Sequence, residues 1–285
     1  PGGWLIFRGA GAAKTILTFN RDVTWIYGMQ TNRVVFQNMQ MTGHRPAVSQ
    51  GYVVSVGLGR VVLDIPSGFP SPGEIYNPGR ISGGRWLRQY TNSKTDPRMI
   101  EDPVIPMNRQ VGWDSTTQIA GGRWQMNLTK PNLVAPYHPG DLIGITSKQT
   151  GNNYYFFQSS DIIFDHVQWK VKSRGVFRGG TSRVTFSNCR IDRSEPINGQ
   201  TQCLSTPDGG PQLGQPEDLP STGHRVENCV FVATGDDSVA FFKASGSITN
   251  TRIRDSFGRG IVLYQSPNVT LTNNEVVRCP ILNFL

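Results

Sequence analysis

Short runs of alternating apolar and polar residues recur along the C-terminal half of the chain. Each run starts at a turn, continues as an alternating segment, reaches an Asn or Asp, and resumes as a second short apolar segment. The five copies occupy residues 160–167, 182–191, 223–231, 246–253 and 267–276. Alternation with a period of two predicts strands that have one buried and one exposed face. The pattern therefore predicts a repeating unit of two short β-strands.

The spacing of the copies predicts how these units stack. If Asp165, Asn188, Asn228, Asn250 and Asn274 are equivalent, successive copies lie 23, 40, 22 and 24 residues apart. The longest step is one repeat plus an insertion of about 17 residues, and a period of roughly 20–50 residues is typical of solenoids. Because the strand edges of each turn pair with those of the next, we expect a parallel β-helix whose repeated Asn side chains hydrogen-bond along the stack.

A long insertion interrupts this solenoid. Residues 31–41 fit the same template with Asn38 as the equivalent position, and 127 positions separate Asn38 from Asp165. The alternating runs at 51–57 and 60–65 within this interval predict strands of a separate module. We therefore expect an all-β chain, a β-helix (solenoid) with an inserted small β barrel or sandwich.

This interpretation divides the chain into three parts. We expect residues 1–43 to form the first turns of the β-helix, residues 44–158 to form the inserted β module, and residues 159–285 to form the turns that carry the active site. Trp86, Trp113 and Trp124 lie in the insert, where aromatic side chains more often belong to a core than to a sugar-stacking platform.

Composition and charge narrow the possible functions. The 32 glycines among 285 residues suit a turn-rich β protein. The net charge of +8 is compatible with a nucleic-acid partner or an anionic polysaccharide partner, but no run of five Lys or Arg occurs, so we expect no nucleic-acid partner.

The chain has no stretch of about 18 apolar residues, so we expect no transmembrane helix and no membrane partner. The four cysteines and four histidines lack metal-ligand spacing, and we expect no metal or organic cofactor.

Adjacent carboxylates are the strongest candidates for chemistry. Asp236 and Asp237 follow Gly235 between two apolar, β-rich runs. Their charges repel, so burying the pair is costly unless a reaction uses it or a cation neutralises it. Paired carboxylates are the usual equipment for cleaving a glycosidic bond. The alternatives are a solvated acidic turn or a structural Ca²⁺ site.

The repeat frame predicts which residues accompany this pair. Asp236 lies eight positions after Asn228, and the same offset from Asn250 gives Gly258, which precedes Arg259. In the turn of Asn188 the same offset gives Pro196, but this turn carries the insertion. If about 12 inserted residues precede that point, the equivalent residue is Asp208. Stacked strands lie ~4.8 Å apart, so Asp208 would approach Asp236 and Asp237. We then expect one carboxyl group with a raised pKa, which would be a general acid.

These motifs resemble those of known enzymes. Asp208-Gly209 in one turn, Gly235-Asp236-Asp237 in the next, and Gly258-Arg259-Gly260 in a third are similar to the polygalacturonase-type glycoside hydrolases. The segment 7–17 likewise resembles the first turns of pectin-lyase-like right-handed β-helices. The chain departs from the family where Arg259 replaces a His, and it lacks an evident Arg-x-Lys that grips a substrate carboxylate.

The resemblance implies a right-handed parallel β-helix and an inverting mechanism. It implies that Asp236 is the general acid and that Asp208 and Asp237 activate water. The implied partner is a polysaccharide or oligosaccharide, with anionic glycans among the candidates, and the implied location is secreted or periplasmic.

Other residues and two rival functions complete the prediction. Arg174, Lys243, Arg259 and His224 are candidate substrate-binding residues. A polysaccharide lyase acting on a uronate-containing glycan is the first alternative, since lyases need a Lys, Arg or Tyr base. A non-catalytic carbohydrate-binding β-helix is the second.

Overall fold

Strands make up nearly all of the regular structure. A computed structural model describes residues 2–19, 24–43, 48–76, 85–100, 110–147, 152–170, 175–215, 219–279 and 283–284. The N-terminal strands are β1 (Leu5–Arg8), β2 (Ile16–Phe19), β3 (Ile26–Met29) and β4 (Asn32–Gly43). The described part of the chain contains no helix with the length and hydropathy needed to span a membrane.

The middle of the chain forms a closed antiparallel β-barrel. Its strands are β5 (Val48–Gly57), β6 (Arg60–Asp64), β7 (Arg85–Tyr90), β8 (Gln110–Ala120), β9 (Arg123–Leu128) and β10 (Leu142–Ser147), with helix α1 (Pro72–Ile75) between β6 and β7. Their order around the barrel is β10-β5-β6-β9-β8-β7. Leu63, Leu87 and Trp113 lie in its core. Trp113 is thus a core residue, as expected.

The strands that follow the barrel belong to the solenoid. They are β11 (Asn152–Phe157), β12 (Ser159–Lys170), β13 (Gly175–Gly179), β14 (Thr181–Ser187), β15 (Arg190–Ile191), β16 (Pro211–Leu213), β17 (Ser221–Glu227), β18 (Val230–Val232), β19 (Val239–Phe242), β20 (Ala244–Thr249), β21 (Arg252–Arg254), β22 (Ile261–Tyr264), β23 (Val269–Thr272), β24 (Glu275–Val277) and β25 (Asn283–Phe284).

Two parallel sheets form the walls of the β-helix. One has the order β23-β20-β17-β14-β12-β15-β18-β21-β24, with β4 pairing to β12 and both β1 and β2 pairing to β4. The other has the order β25-β22-β19-β16-β13-β11-β3. Since β11 pairs with β3 and β13, it belongs to the solenoid, and the barrel's last strand ends at Ser147, earlier than the boundary expected at residue 158.

The pairing register corrects two of the expected equivalent positions. Asp165 pairs with Ser187, so His166 is the residue that corresponds to Asn188. Thr249 pairs with Thr272, so Asn273 rather than Asn274 corresponds to Asn250. The shared feature of the true positions is a left-handed backbone conformation, with φ between 50° and 56° at Asn38, His166, Asn188, Asn228, Asn250 and Asn273. Asn tolerates this conformation better than most residues, which explains its recurrence.

Aromatic rings stack through the interior of the solenoid and end at the exposed Phe7 of the first turn. The rings of Phe7, Phe36, Phe164 and Phe186 form a continuous column, with centroid separations of 5.0, 5.2 and 4.7 Å. These rings come from successive parallel strands whose registers place them directly above one another. The column fixes the strand register because a slip by one residue would turn every ring outward.

The barrel packs against the solenoid through its outer face. Tyr90 and Leu142 of the barrel share an apolar cluster with Cys203, Leu204 and Phe257 of the solenoid. Polar contacts join the same two modules: the side-chain carbonyl of Gln50 accepts the backbone N–H of Cys203 at 2.8 Å. The barrel therefore rests on the segments 203–204 and 257, close to the candidate site.

Candidate active site

Three successive turns bring the predicted site residues into register. A bridge pairs Thr206 with Thr234, and Gln212 pairs with Ala240, which makes Asp208 the counterpart of Asp236. Val239 pairs with Ile261, which makes Gly258 the counterpart of Asp236 on the following turn. The expected partition of the insertion, with 12 residues before Asp208, is thus confirmed. Strands at this spacing lie ~4.8 Å apart, so the backbones that carry Asp208 and Asp236 are neighbours.

Buried hydroxyl groups hold the turn that carries Asp236. The turn connects β18 to β19, and Thr234 Oγ1 donates to the carbonyl of Asp236 at 3.0 Å. Thr234 Oγ1 also lies 2.7 Å from Ser238 Oγ and 3.1 Å from Ser256 Oγ. Because these hydroxyls are shielded from water, their mutual hydrogen bonds stabilise one geometry of the turn.

Glycines allow the three turns to approach one another. A Cβ atom at Gly235 would lie 2.4 Å from the carbonyl oxygen of Thr206. A Cβ atom at Gly258 would lie 2.7 Å from Asp236 Oδ1 and 2.8 Å from the Asp236 backbone carbon. The Asp236 carboxylate therefore lies directly over Gly258, in space that any other residue would fill.

Asp236 and Asp208 share a half-buried environment, which gives both carboxyl groups access to solvent. Asp208 Oδ1 accepts the backbone N–H of Gly209 at 2.9 Å, and the backbone N–H of Asp208 donates to Thr206 Oγ1 at 3.2 Å. These contacts hold the Asp208 side chain in place before β16, beside the turn that carries Asp236.

Asp237 is engaged in a buried ion pair. The residue is 2% exposed, and its Oδ1 and Oδ2 accept Arg259 Nε and Nη2 at 2.7 and 2.8 Å. The backbone N–H of Arg259 adds a third contact to Oδ1 at 3.2 Å. The hydrogen bonds that Arg259 donates to Asp237, followed by the nearby charges of Asp237 and Asp236, raise the pKa of the Arg259 guanidinium. Arg259 thus neutralises the buried carboxylate.

The structure separates two other predicted residues from this cluster. Lys243 follows the C-terminal end of β19, whereas Asp236 and Asp237 precede its N-terminal end. His224 lies in β17 and is buried, with Nε2 at 2.8 Å from Ser221 Oγ and Nδ1 accepting the backbone N–H of Val184 at 3.4 Å. Burial lowers the pKa of His224 to about 4, so this imidazole is neutral in the interior. Arg174, the last predicted residue, lies outside the described residues.

A contact between the barrel and the candidate site was not predicted from the sequence. The buried Arg88 of β7 donates through Nη1 to the carbonyl of Phe257, and its guanidinium carbon lies 4.8 Å from the centre of the Phe257 ring. Phe257 directly precedes Gly258 and Arg259, so the barrel holds the turn that faces Asp236 and Asp237. Within the described residues, no cluster of three His, Cys, Asp or Glu side chains could hold a metal ion.

Comparison with known protein families supports the β-helix fold. Residues 144–282 match a family model described as "Right handed beta helix region". No curated protein matches the sequence.

Similar solved structures include three bacteriophage tailspikes. They are the tailspike gp49 of Pseudomonas phage LKA1 (8% identity, TM-score 0.26, covering 87% of this chain and 45% of that one), the Gp54 tailspike of Acinetobacter baumannii bacteriophage AP22 in complex with A. baumannii capsular saccharide (11%, 0.20, 92% and 53%), and the tailspike gp61 of Pseudomonas phage phi297 (11%, 0.21, 95% and 53%). The chain spans about half the length of these proteins. The family match and the stacked parallel strands together identify the fold as a right-handed parallel β-helix that carries an inserted β-barrel.

Proposed function

We propose that this protein is a glycoside hydrolase that cleaves a polysaccharide or oligosaccharide by acid–base catalysis. The observation that carries the proposal is the register of Asp208 and Asp236, which occupy equivalent positions on adjacent turns. Both residues are half-buried, and the Asp236 carboxylate packs directly against Gly258 of the next turn. A pair of carboxyl groups that can flank the scissile bond is the arrangement that glycosidic bond cleavage requires.

The three aspartates have different roles in this proposal. Asp236 donates its proton to the glycosidic oxygen as the bond to the anomeric carbon breaks, and Asp208 accepts a proton from the water that attacks that carbon. The buried Asp237 forms an ion pair with Arg259 of the next turn, and this contact positions the turn that carries Asp236. The resemblance assigned Asp237 to water activation; its contacts with Arg259 favour this positioning role instead.

The arrangement favours hydrolysis over a lyase reaction. A lyase base must lose its proton, but the ion pair with Asp237 raises the pKa of Arg259. Lys243 lies at the other end of β19 from the acidic cluster. A hydrolase needs only carboxyl groups such as those of Asp208 and Asp236, which lie on adjacent turns. An unsaturated product that absorbs in the ultraviolet would instead identify a lyase.

A reducing-sugar assay over neutral and acidic glycans tests the proposal. We expect the parent protein to release reducing ends from one glycan class, and we expect Asp236→Asn and Asp208→Asn each to lower the rate by about a hundredfold or more. Asp161→Asn is the matched control, because Asp161 lies on β12 and pairs with Arg183. Its rate should stay within about twofold of the parent rate.

The outcomes separate the alternatives. Full activity in both site variants would refute the assignment of acid and base. Binding of a glycan with no release, by folded parent protein, would show a carbohydrate-binding β-helix without hydrolase activity. The first anomer seen by NMR reports the stereochemistry: the proposal expects inversion, which requires carboxyl groups about 6.5–9.5 Å apart during the reaction.

A further inference from the structure

A polar side chain on the outer face of the solenoid lies beside the candidate acid–base pair. Gln212 is the middle residue of β16, between the buried Pro211 and Leu213, and is itself half-buried. Leu213 belongs to the core of the solenoid, so the alternation along the strand directs Gln212 outward. The Gln212 side chain is therefore accessible from the solvent side of the sheet that follows Asp208.

The Gln212 side chain extends back along its own segment toward Asp208. A Cβ atom at Gly209 would lie 3.1 Å from Gln212 Nε2, so the amide nitrogen is close to the Gly209 backbone. Asp208 Oδ1 accepts the backbone N–H of the same glycine at 2.9 Å. With covalent bonds of about 1.5 Å, these contacts place the amide nitrogen at most about 9 Å from the Asp208 carboxylate. One monosaccharide unit can therefore contact both groups.

The amide group of Gln212 has the chemistry to recognise a sugar. Among the residues that the structure describes, none forms a hydrogen bond with this side chain. A primary amide carries two N–H donors and an acceptor oxygen. Sugar hydroxyl groups both donate and accept, so two adjacent hydroxyls can pair with the nitrogen and the oxygen of one amide. This recognition needs no charge on the sugar.

The strand pairing shows which residues flank Gln212 on the neighbouring turns. Gln212 pairs with Arg178 on one side and with Ala240 on the other. Ala240 follows Asp236 by four residues, as Gln212 follows Asp208, so the two residues are equivalent. Because the methyl group of Ala240 forms no hydrogen bond, the turn of Asp236 contributes no side-chain donor or acceptor at this position. A hydroxyl group bound here would depend on Gln212 and on the cation beside it.

We propose that Gln212 is a substrate-binding residue, whose side-chain amide forms hydrogen bonds with hydroxyl groups of the sugar that lies against Asp208. The inference rests on the proposed function, because this sugar is the one whose anomeric carbon is attacked by water. The contact forms on binding and does not require bond cleavage. It can therefore be measured even if the protein binds a glycan without hydrolysing it.

Calorimetric titration of the Asp236→Asn protein, which excludes turnover, tests the contact. The probes are maltotetraose, cellotetraose, mannotetraose, chitotetraose and tetragalacturonic acid. We expect at least one probe to bind, and we expect Gln212→Leu in the same background to weaken its affinity about three- to tenfold, as the loss of one or two hydrogen bonds does. Gln168→Leu is the matched control, because Gln168 is also half-buried but lies on β12 in the other sheet. Its affinity should stay within about twofold.

Kinetics separate this role from a structural one. In the otherwise unchanged protein, Gln212→Leu should raise KM by the same factor and leave kcat within about threefold, whereas a purely structural role would lower the free energy of unfolding and leave KM unchanged.

Each result decides one proposal. Equal affinity of the Gln212→Leu and Gln168→Leu proteins, both shown to be folded by cooperative urea unfolding, would overturn the role of Gln212. Reducing-sugar release with a KM unchanged in Gln212→Leu would overturn it as well and leave the hydrolase standing. Affinity that falls in Gln212→Leu, combined with no release by the parent, would support the contact and reject the hydrolase. Neither binding nor release with any probe would overturn both proposals.

Discussion

The buried ion pair between Asp237 and Arg259 yields a quantitative prediction. Replacement of Arg259 by Met removes the guanidinium but keeps a long apolar side chain. Asp237, 2% exposed, then loses two charge-assisted hydrogen bonds of 2.7 and 2.8 Å and, among the described residues, keeps the hydrogen bond from the backbone N–H of residue 259. Removing one partner of a fully buried pair costs about 3–5 kcal/mol. Because Arg259 is 32% exposed, water can reach the vacated space, so we expect about 3 kcal/mol.

A double-mutant cycle measures the interaction itself. Asp237→Asn keeps the shape of the side chain and leaves Arg259 partly hydrated, so we expect a smaller loss of about 1–2 kcal/mol. The double variant should be no less stable than Arg259→Met, which corresponds to a coupling free energy of at least about 1–2 kcal/mol. The free energy of unfolding is obtained from urea titrations followed by circular dichroism, with the m-values compared across the four proteins.

A matched control separates burial from charge. Arg252 forms an ion pair with Glu275 in which the two side chains are 63% and 53% exposed. Exposed pairs contribute about 0–1 kcal/mol, so Arg252→Met should change the free energy of unfolding by less than about 1 kcal/mol. If Arg259→Met cost no more than Arg252→Met, the ion pair would not stabilise the site, and the role proposed for Asp237 would lose its basis.

Three other predictions follow from the structure. Gly258→Ala should lower turnover at least tenfold with a smaller effect on glycan binding, because the new Cβ would displace Asp236; an unchanged kcat would contradict this geometry. Burial lowers the pKa of His224 from 6.5 to about 4, so the unfolded state binds the proton first. The free energy of unfolding should therefore fall by roughly 3 kcal/mol as pH drops from about 6.5 to 4 and then level off, and His224→Gln should flatten that profile. Phe164→Ala should cost about 3–5 kcal/mol in urea unfolding, because it opens the centre of the aromatic column; a loss below 1 kcal/mol would show that the column adds little.

Periodic features of the chain could be predicted from the sequence, because each turn repeats the same local geometry. The register of Asp208 with Asp236 was expected from the period together with an assumed placement of the insertion, and strand pairing confirms it. The error at Asp165 has a local cause: the repeated position requires a left-handed backbone, which His166 adopts in that turn, and the neighbouring acid resembled the repeated Asn more closely.

The contacts between the two modules could not be predicted in this way. Arg88 and Phe257 are 169 residues apart, and no period relates a barrel strand to a solenoid turn. The same holds for the contact of Gln50 with Cys203. Such contacts depend on how the barrel and the solenoid pack against each other, and the repeat within the solenoid does not determine that packing. The pair of Asp237 with Arg259 is intermediate, since its separation of 22 residues equals one turn but its geometry needed the structure.

The insertion of the barrel within a turn of the solenoid has a consequence for the order of folding. Val35 of β4 pairs with Ile163 of β12, so two neighbouring strands are joined by a very long connection. Within the barrel, Val48 pairs with Thr146, so a folded barrel already brings the two ends of that connection together. Shortening an effective loop from over a hundred residues to about thirty lowers the entropic cost of closure by roughly 1 kcal/mol. We therefore infer that the barrel folds first and acts as an intramolecular template for the join between the first turns of the solenoid and the rest.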